Sequence, residues 1–476
     1  MKLVSSVLLV GAGAVAVHAC DLSQSGVCHV PLANPKFLEH KVKIQSLIST
    51  APRLSTRKIH SKRQIAIDPL VGTGDTGGTL FAYHGQLAVG SPSQKFNILF
   101  DTGSQQLWLQ SKGTTGGVNT AGNSFDATKS STFKNTGVAA EAITYVDGTS
   151  VTGTLVQDVV SISNLTIPNL TFELATSITS NSSDMDGIMG MSFSLPATQS
   201  TPNEPTFFER LVADNKVTSP VFGYFIDNTN AGGGLTFGGI DQARVNGAFT
   251  TLPVAPSGQD ANRNDVYLFW QSLLTSISFE GHAGSLSMGD NFAVVFDTGT
   301  SLAVLPVRTA ATLNSALGMQ RASQSEPSAD LYVMDCSDGQ IPSNLPNIDF
   351  TFGSQVISIT PQEYIFFQAG SRPGQIACVS GFAGQDITSP STVGGGQSSA
   401  LLPSAIFGNV FLRRFYTVFN IKDHTVQLAI ANRGANVPTN LVGAVSGKKS
   451  AASAIAVSSR LSLAAILVVS TLLVAF

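Results

Sequence analysis

The stretch Asn97-Ile98-Leu99-Phe100-Asp101-Thr102-Gly103-Ser104 indicates both the fold and the chemistry of this chain. An apolar, β-favouring run ends in one aspartate, and the Thr-Gly pair that follows permits a tight turn. The pattern predicts a strand that delivers Asp101 to its end. A single copy would be weak evidence, because an aspartate at a strand end is also a common turn-capping residue.

The stretch occurs twice in the chain. The second copy reads Ala293-Val294-Val295-Phe296-Asp297-Thr298-Gly299-Thr300. Each copy is followed by an apolar pair and a glycine, Ile188-Met189-Gly190 after the first and Ile406-Phe407-Gly408 after the second. Two copies in matching context predict a duplicated architecture with Asp101 and Asp297 in equivalent places.

The body around these copies reads as all-β. Short apolar alternations are separated by clusters of Gly, Ser, Asn and Pro, as in Thr79–Val89, Phe96–Phe100 and Ser150–Ile162. Helical patterning is sparse, and the best candidates are Thr206–Asp214 and Val307–Leu317. With 43% hydrophobic and 12% charged residues, the chain is neither an acidic disordered tail nor a coiled coil.

Two aspartates related by a pseudo-twofold axis predict acid–base chemistry. Like charges at contact distance raise one pKa, so the pair shares a proton. The ionised member can take a proton from a water molecule while the protonated member donates to an amide carbonyl. We therefore expect activity on the acid side of neutrality.

At these residues the sequence resembles the pepsin-like aspartic proteases, from about Tyr83 to Ala431. Further matching segments are Asp101–Trp108, Ile143–Gly153, Asp186–Phe193, Leu235–Asp241, Tyr267–Gln271 and Ile406–Asn420. The resemblance implies two β lobes with a cleft between them and an aspartic-type endopeptidase acting on proteins and peptides. Asp101 and Asp297 would be its catalytic pair.

The resemblance also implies roles for the residues beside the pair. Thr102 and Thr298 would brace it from beneath, and Ser104 and Thr300 would bond its outer oxygens. The glycines would leave room for the substrate backbone, and Thr300 would also contact substrate. These glycines are Gly103 and Gly299.

A hairpin resembling the family's flap runs through Tyr145, which would close over the substrate. Trp108 would support Tyr145 from below. Asp147 resembles the flap aspartate of fungal members that accept lysine beside the scissile bond, as a rim carboxylate would. A solvated turn aspartate before Gly148 is the alternative. Asn409 stands where many members have aspartate.

The chain ends resemble targeting signals. Residues 1–19 have a cationic, apolar and small-residue pattern that predicts a secretory signal peptide. At the other end, small residues are followed by a mostly polar spacer and then by an apolar tail. This pattern predicts that residues 451–476 are a glycosylphosphatidylinositol (GPI) attachment signal, with Ser450 as the attachment residue. A tail-end transmembrane anchor is the alternative, and Ser446 is a second candidate attachment residue. Such an ending predicts delivery to the cell surface, at the plasma membrane or in the cell wall.

Entry into the secretory route makes the cysteines and Asn sequons interpretable. Cys336 and Cys378 are the only cysteines of the main body, so a disulfide between them is expected, with two free thiols as the alternative. Only this bridge matches the family. Whether Cys20 and Cys28 pair stays open. Three asparagines lie in N-x-[ST] sequons and are candidate glycan sites: Asn164, Asn169 and Asn181.

The charge distribution divides the chain at Lys62-Arg63, a dibasic pair typical of proprotein cleavage. Residues 1–63 carry nine basic and two acidic residues, a balance of +7, and the remainder carries 18 and 28, a balance of −10. The expected organisation is a prosegment (20–63), an N-terminal lobe (64–250), a C-terminal lobe (251–435) and a linker (436–450). The basic prosegment would cover the acidic enzyme and inhibit it.

Other function classes find little support. The net charge of −3 offers no basic field for nucleic acid. There is no metal-spaced His or Cys pair, no nucleophile elbow and no phosphate-binding loop, so we expect neither metal nor cofactor. We expect a monomer, resembling fungal, GPI-anchored proteases of the yapsin-related kind. The rival interpretation is a catalytically inactive surface glycoprotein or adhesin that keeps the fold.

Overall fold

The structure is a computed structural model, and it describes residues 66–73, 82–116, 122–145, 148–179, 185–194, 204–227, 232–260, 262–280, 284–322, 329–336, 339–369, 376–387 and 401–433. Several sequence predictions lie outside these residues. They are the signal peptide, the prosegment with Cys20, Cys28, Lys62 and Arg63, the linker, Ser450 and the anchor signal, together with Asp147 and Asn181.

Strands dominate the described residues, which confirms the all-β prediction. They are β1 Ala66–Thr73, β2 Ala82–Val89, β3 Gln94–Asp101, β4 Leu107–Gly116, β5 Lys134–Ala139, β6 Ile143–Thr144, β7 Ser150–Ile162, β8 Leu165–Thr179, β9 Gly187–Gly190, β10 Val221–Ile226, β11 Gly232–Phe237, β12 Val245–Pro253, β13 Gly258–Gln259, β14 Asp265–Val266, β15 Gln271–Leu273, β16 Ser276–Phe279, β17 Ser285–Ser287, β18 Ala293–Phe296, β19 Ala303–Leu305, β20 Gln320–Arg321, β21 Tyr332–Asp335, β22 Ile348–Phe352, β23 Gln355–Ile359, β24 Ile365–Ala369, β25 Ile376–Ser380, β26 Phe382–Gly384, β27 Ala405–Phe407, β28 Phe415–Asn420 and β29 Thr425–Ala431.

The helices are short. Those described are α1 Phe207–Ala213, α2 Val307–Ala316, α3 Pro361–Tyr364 and α4 Asn409–Leu412. The first two confirm the predicted helices. Thr206 caps α1 in a capping box with Glu209, which is the Thr-x-x-Glu pattern that sequence alone can show. None of the described helices has the length and apolar character needed to cross a membrane.

The largest sheet joins the two ends of the described chain. Its main path runs β12-β29-β28-β10-β11-β1-β2-β3-β9-β4-β8-β7-β5. The final hairpin, β28 and β29, therefore pairs with strands of the first half of the chain. The β12 strand spans the expected lobe boundary at residues 250 and 251, and the boundaries themselves stay predictions.

The internal repeat has the same strand arrangement in both halves. In the first, β3 pairs parallel with β9, which pairs antiparallel with β4, which pairs parallel with β8. In the second, β18, β27, β19 and β26 follow the same sequence of parallel, antiparallel and parallel pairings. The downstream glycine motifs lie on β9 and at the end of β27, so each pairs with the strand that delivers its aspartate.

The rest of the second half forms three smaller sheets, two of four strands and one of two. Cys336 and Cys378 form a disulfide with a Cα–Cα distance of 5.5 Å, which ties the end of β21 to β25. The expected bridge is thus present. A large apolar core, which includes Trp270, Phe350 and Phe407, spans both halves and gives the aspartate-bearing strands a rigid base.

Candidate active site

The two aspartates of the repeat meet at the centre of the molecule. Asp101 ends β3 and Asp297 directly follows β18, and each side chain is 0% exposed. Each carboxyl group lies against the glycine of the opposite turn, and each influences the pKa of the other. Two carboxylates at this separation would repel each other, so the contact requires a shared proton. The structure thus places both copies of the motif in one site.

Two threonine hydroxyls cross-link the loops beneath the carboxyl pair. Thr102 Oγ1 donates to the Phe296 carbonyl (2.7 Å) and accepts from the Thr298 amide (3.0 Å). Thr298 Oγ1 donates to the Phe100 carbonyl (2.6 Å) and accepts from the Thr102 amide (3.1 Å). Each loop is therefore held by the other, which fixes the separation of the carboxyl groups.

Each carboxyl group also accepts two bonds from its own turn. The Ser104 hydroxyl donates to Asp101 Oδ2, and the Thr300 hydroxyl donates to Asp297 Oδ2 at 2.5 Å. The Gly103 amide donates to Asp101 Oδ1 at 2.9 Å, and the Gly299 amide donates to Asp297 Oδ1 at 2.7 Å. These donors orient both carboxyl planes in the same way.

The two glycines are required by the approach of the opposite carboxyl group. A Cβ atom on Gly103 would lie 2.6 Å from Asp297 Cγ, and one on Gly299 would lie 2.3 Å from Asp101 Oδ1. Both distances are shorter than non-bonded atoms allow. The structure therefore gives these glycines a reason that the sequence did not, namely room for the partner carboxyl, and their expected contact with the substrate backbone stays a prediction.

Burial raises the pKa of both aspartates. The pKa of Asp101 lies well above its usual range because of burial first, and then because of the charge and hydrogen bond of Asp297. The pKa of Asp297 is also raised by burial, while hydrogen bonds from Asp101, Thr300 and the glycine amides act in the opposite direction. The pair therefore keeps one proton at pH values where a free aspartate would be ionised.

Asn409 supports the site from a second layer. Its Nδ2 donates to the Thr298 carbonyl at 3.2 Å, and its Oδ1 accepts from the Tyr224 hydroxyl at 2.8 Å. Asn409 begins α4 and Tyr224 lies on β10. The amide thus links the second aspartate turn to the large sheet without adding a charge beside the pair.

The flap hairpin is anchored by an aromatic pair. The Trp108 Nε1 group donates to the Tyr145 hydroxyl, and Tyr145 is 4% exposed. The hairpin turn is closed by the Tyr145 amide on the Thr149 carbonyl (2.7 Å) and the Gly148 amide on the Tyr145 carbonyl (2.9 Å). Both aromatic residues belong to a small apolar cluster that includes Leu99, a residue of the strand that ends at Asp101.

The remaining predicted sites are surface features. Asn164 lies in the turn between β7 and β8, and Asn169 lies on β8, where it accepts from the Lys134 ammonium at 2.9 Å. Both asparagines are exposed, and their glycosylation stays a prediction. Among the residues that the structure describes, no group of three His, Cys, Asp or Glu side chains is placed to hold a metal ion.

Sequence reasoning missed a buried carboxyl group on β8. Glu173 is 1% exposed, and neither carboxyl oxygen has a hydrogen-bond partner. It lies between Trp108 on β4 and Leu155 on β7, its register neighbours. Burial raises its pKa to about 8. Nothing in the local sequence Thr171-Phe172-Glu173-Leu174 signals this, because the burial also requires pairing with β4, which is distant in sequence.

Comparison with known proteins agrees with the geometry. The family model described as eukaryotic aspartyl protease matches residues 82–431. A probable vacuolar protease A of Trichophyton verrucosum is 31% identical over 355 residues, covering 73% of this chain and 78% of that protein. Vacuolar protease A of Neurospora crassa is 28% identical, over 90% of this chain and 99% of that protein. Cathepsin E of Aquarana catesbeiana is 29% identical, over 85% and 93%.

Proposed function

The chain belongs to the eukaryotic aspartyl protease family and is an aspartic endopeptidase, and we propose that Asp101 and Asp297 hydrolyse peptide bonds with it at acidic pH. The observation that carries the proposal is the buried, hydrogen-bonded pair of carboxyl groups with a hydroxyl donor on each outer oxygen. In this state one carboxyl group is ionised and its partner holds the proton.

The pair supplies both halves of an acid–base step. The ionised carboxylate takes a proton from a water molecule, whose oxygen then bonds to the carbonyl carbon of the peptide. The protonated carboxyl donates to the carbonyl oxygen, which gives a neutral tetrahedral diol. One carboxyl group then donates its proton to the nitrogen while the other carboxylate takes a proton from a hydroxyl of the diol, so that the C–N bond breaks, a carbonyl forms and the pair again holds one shared proton. The fixed separation of the pair positions the water for this attack.

The test is cleavage of a denatured protein at acid pH by the processed enzyme. Asp101→Asn and Asp297→Asn are each expected to lower kcat by at least about 10³-fold, since they remove the acid–base group. Asp290→Asn, at an exposed carboxylate, is the matched control and should keep full activity. If the processed wild type gave no cleavage sensitive to an aspartic protease inhibitor and Asp297→Asn behaved in the same way, the protein would be the inactive surface glycoprotein instead.

The prosegment is proposed to act as the inhibitor of this enzyme. Residues 20–63 carry eight basic and two acidic residues, against −10 for the chain after Arg63. Opposite charge favours their association, and protonation of carboxylates in acid weakens it. A Lys62→Ala, Arg63→Ala precursor should mature more slowly than the wild type at acid pH. Normal appearance of the Gln64 terminus would contradict the proposal.

The flap residue Asp147 is proposed to favour basic residues beside the scissile bond. The support is its position two residues after Tyr145, where a carboxylate can pair with a substrate ammonium group. Cleavage of a peptide library by the wild type and by Asp147→Asn would test it. Selective loss of lysine-containing cleavage sites is expected, with the other sites unchanged.

We also propose that the protease works as a monomer at the outer cell surface, held by a GPI anchor, as in fungal yapsin-related enzymes. The support is the pattern of the two chain ends, with Ser450 as the attachment residue. Phosphatidylinositol-specific phospholipase C should release the enzyme from intact cells. Retention on the treated cells and unchanged fractionation without residues 451–476 would both contradict anchoring.

A further inference from the structure

The segment Leu268–Trp270, which lies between β14 and β15, is bound directly to the turn that carries Asp101. The Gln105 Nε2 group donates to the Leu268 carbonyl at 3.0 Å, and the Ser192 hydroxyl donates to the same carbonyl at 2.7 Å. Both side chains are buried, so these bonds are protected from competition with bulk water. Two polar side chains from the first half of the chain thus converge on one backbone atom of the second half.

Both donors are held by the Asp101 turn. Gln105 directly follows Ser104, whose hydroxyl donates to Asp101 Oδ2. The Ser192 amide donates to the Ser104 carbonyl at 2.9 Å, and the preceding Met191 amide donates to the Asp101 carbonyl at 2.7 Å. The carbonyl that the two donors hold is therefore linked to Asp101 through buried backbone bonds.

The same segment is also bound to the strand that delivers Asp297. The Phe296 amide donates to the Trp270 carbonyl at 3.0 Å, and the Trp270 indole donates to the Met191 carbonyl at 3.0 Å. The Phe296 carbonyl in turn accepts from the Thr102 hydroxyl at 2.7 Å. These bonds form a closed chain of contacts that passes through both aspartate turns.

We propose that Gln105 and Ser192 are positioning residues for peptide hydrolysis, which hold Leu268–Trp270 against the Asp101 turn and so fix the placement of Asp101 relative to Asp297. This inference rests on the proposed function of the aspartate pair. The threonine bonds link the two turns at one place, and a second link made by other residues restricts the rotation that a single link would allow. Small displacements of reacting groups cost large factors in rate.

The amide of Gln105 suits this contact because its NH2 group is the end that can donate to a carbonyl oxygen. A carboxylate of the same shape has no donor and would repel the Leu268 carbonyl, whereas a protonated carboxyl group can still donate. Exchange of Gln105 for glutamate therefore makes the link depend on pH while packing stays almost unchanged.

The first test compares kcat and KM of the processed enzyme for a peptide substrate at acid pH. Gln105→Met and Ser192→Ala, which each remove one donor, should lower kcat by roughly fivefold, and the double variant should lower it by about 10²-fold. KM should change little, because neither side chain touches the substrate in the proposed mechanism. Chemical denaturation of the same proteins checks that they are folded. Unchanged kcat in the folded double variant would overturn the proposal.

The pH profile of Gln105→Glu separates positioning from packing. Its rates should stay near those of the wild type while the new carboxyl group is protonated, and they should fall at a lower pH than in the wild type as that group ionises. A nearby negative charge by itself acts in the opposite direction, because it raises the pKa of Asp101 and keeps the shared proton to higher pH. Gln106→Glu, which places the same charge one residue along the chain, is the control for this charge effect. A Gln105→Glu profile that matches the wild type, or that moves to higher pH with Gln106→Glu, would contradict the proposal.

The wild type distinguishes failure of this inference from failure of the proposed function. A processed wild type without inhibitor-sensitive cleavage would contradict the proposed function and this inference with it. An active wild type whose Gln105 and Ser192 variants keep its kcat and its pH profile would overturn the positioning role alone.

Discussion

The hydroxyl groups of Thr102 and Thr298 link the two turns that carry Asp101 and Asp297 and so fix the separation of the two carboxyl groups. Each makes one bond to a carbonyl and one to an amide of the opposite turn. Thr298→Val should lower the free energy of unfolding by about 2–3 kcal/mol, because it leaves buried backbone groups unpaired. It should also lower kcat, because the separation of the carboxyl groups would no longer be fixed.

Thr298→Ser is the matched control, since it keeps the hydroxyl and loses only a methyl group. Chemical denaturation and steady-state kinetics measure both effects. A loss in the Ser variant that is absent from the Val variant would assign the role of Thr298 to packing of its methyl group, and the hydrogen-bonding account would then be wrong.

Residues that the repeat duplicates were predictable, and isolated buried charges were not. Thr102 and Thr298 occupy the same place in two copies of one motif, so resemblance assigns both, and the structure brings them together. Glu173 and the buried Arg413 have no second copy. The burial of Glu173 requires pairing with β4, and Arg413 donates to the Gln362 carbonyl on α3, and both neighbours lie far away in sequence.

The flap hairpin depends on the contact of Trp108 with Tyr145. Because the hydroxyl of Tyr145 accepts from the indole, removing either group should deprive the other polar atom of this hydrogen bond. We expect Tyr145→Phe and Trp108→Phe each to lower kcat/KM by roughly tenfold, about 1.4 kcal/mol of transition-state stabilisation. Coupling is expected, so the double variant should lose less than the sum of the two losses.

Steady-state kinetics of the four proteins completes this cycle. Additive losses would show that the two side chains act separately, and the flap would then need another source of support. Unfolding measurements on the same proteins separate a local effect on the flap from general loss of stability.

The disulfide should stabilise the second half of the molecule through chain entropy. Cys336 and Cys378 lie 42 residues apart in sequence, and closing a loop of this length contributes about 2–4 kcal/mol. The Cys336→Ala, Cys378→Ala double variant should lose stability of this size. Because the bridge joins β21 and β25, away from the catalytic turns, kcat at low temperature should change little. A large loss of kcat in the folded variant would contradict this separation.

Local sequence patterns predicted some strands and helices well, but they could not predict the pairing of strands that lie far apart in sequence. The β7 strand and α1 were predictable because alternation and the Thr206–Glu209 capping pattern lie within a few residues. The helices α3 and α4 have four residues each, too few to show a helical period. The pairing of β28 with β10 joins segments about 190 residues apart, and one sequence has no signal for it.

Buried carboxyl groups across the molecule favour the folded state at acid pH. The pKa of Asp101, Asp297 and Glu173 is raised by burial in each case. An acid whose folded pKa is raised keeps its full contribution to stability below the unfolded pKa and loses it as pH rises towards the folded pKa. For Glu173 this interval extends from about 4.5 to about 8, with a loss of roughly 1.4 kcal/mol per pH unit.

The free energy of unfolding of Glu173→Gln should therefore fall less steeply with rising pH, by the roughly 1.4 kcal/mol per pH unit that one titrating group contributes. The remaining slope would come from the catalytic pair and other groups. Thermal unfolding between pH 4 and pH 8 measures it, and Glu280→Gln, at an exposed carboxylate, is the control. A wild-type slope in Glu173→Gln would show that this carboxyl group is ionised or solvated in the folded protein.

Activity and stability should respond to different carboxyl groups. In the proposed mechanism, cleavage requires the single proton shared by Asp101 and Asp297, so rates should fall as pH rises through the raised pKa values of that pair. Glu173 lies on β8, apart from the pair, and touches neither the water nor the substrate in the proposed mechanism. Glu173→Gln should thus keep the enzyme folded up to a higher pH, while the pH profile of initial rates stays unchanged. A shifted rate profile in this variant would mean that Glu173 acts on the pair, through Trp108 and the flap.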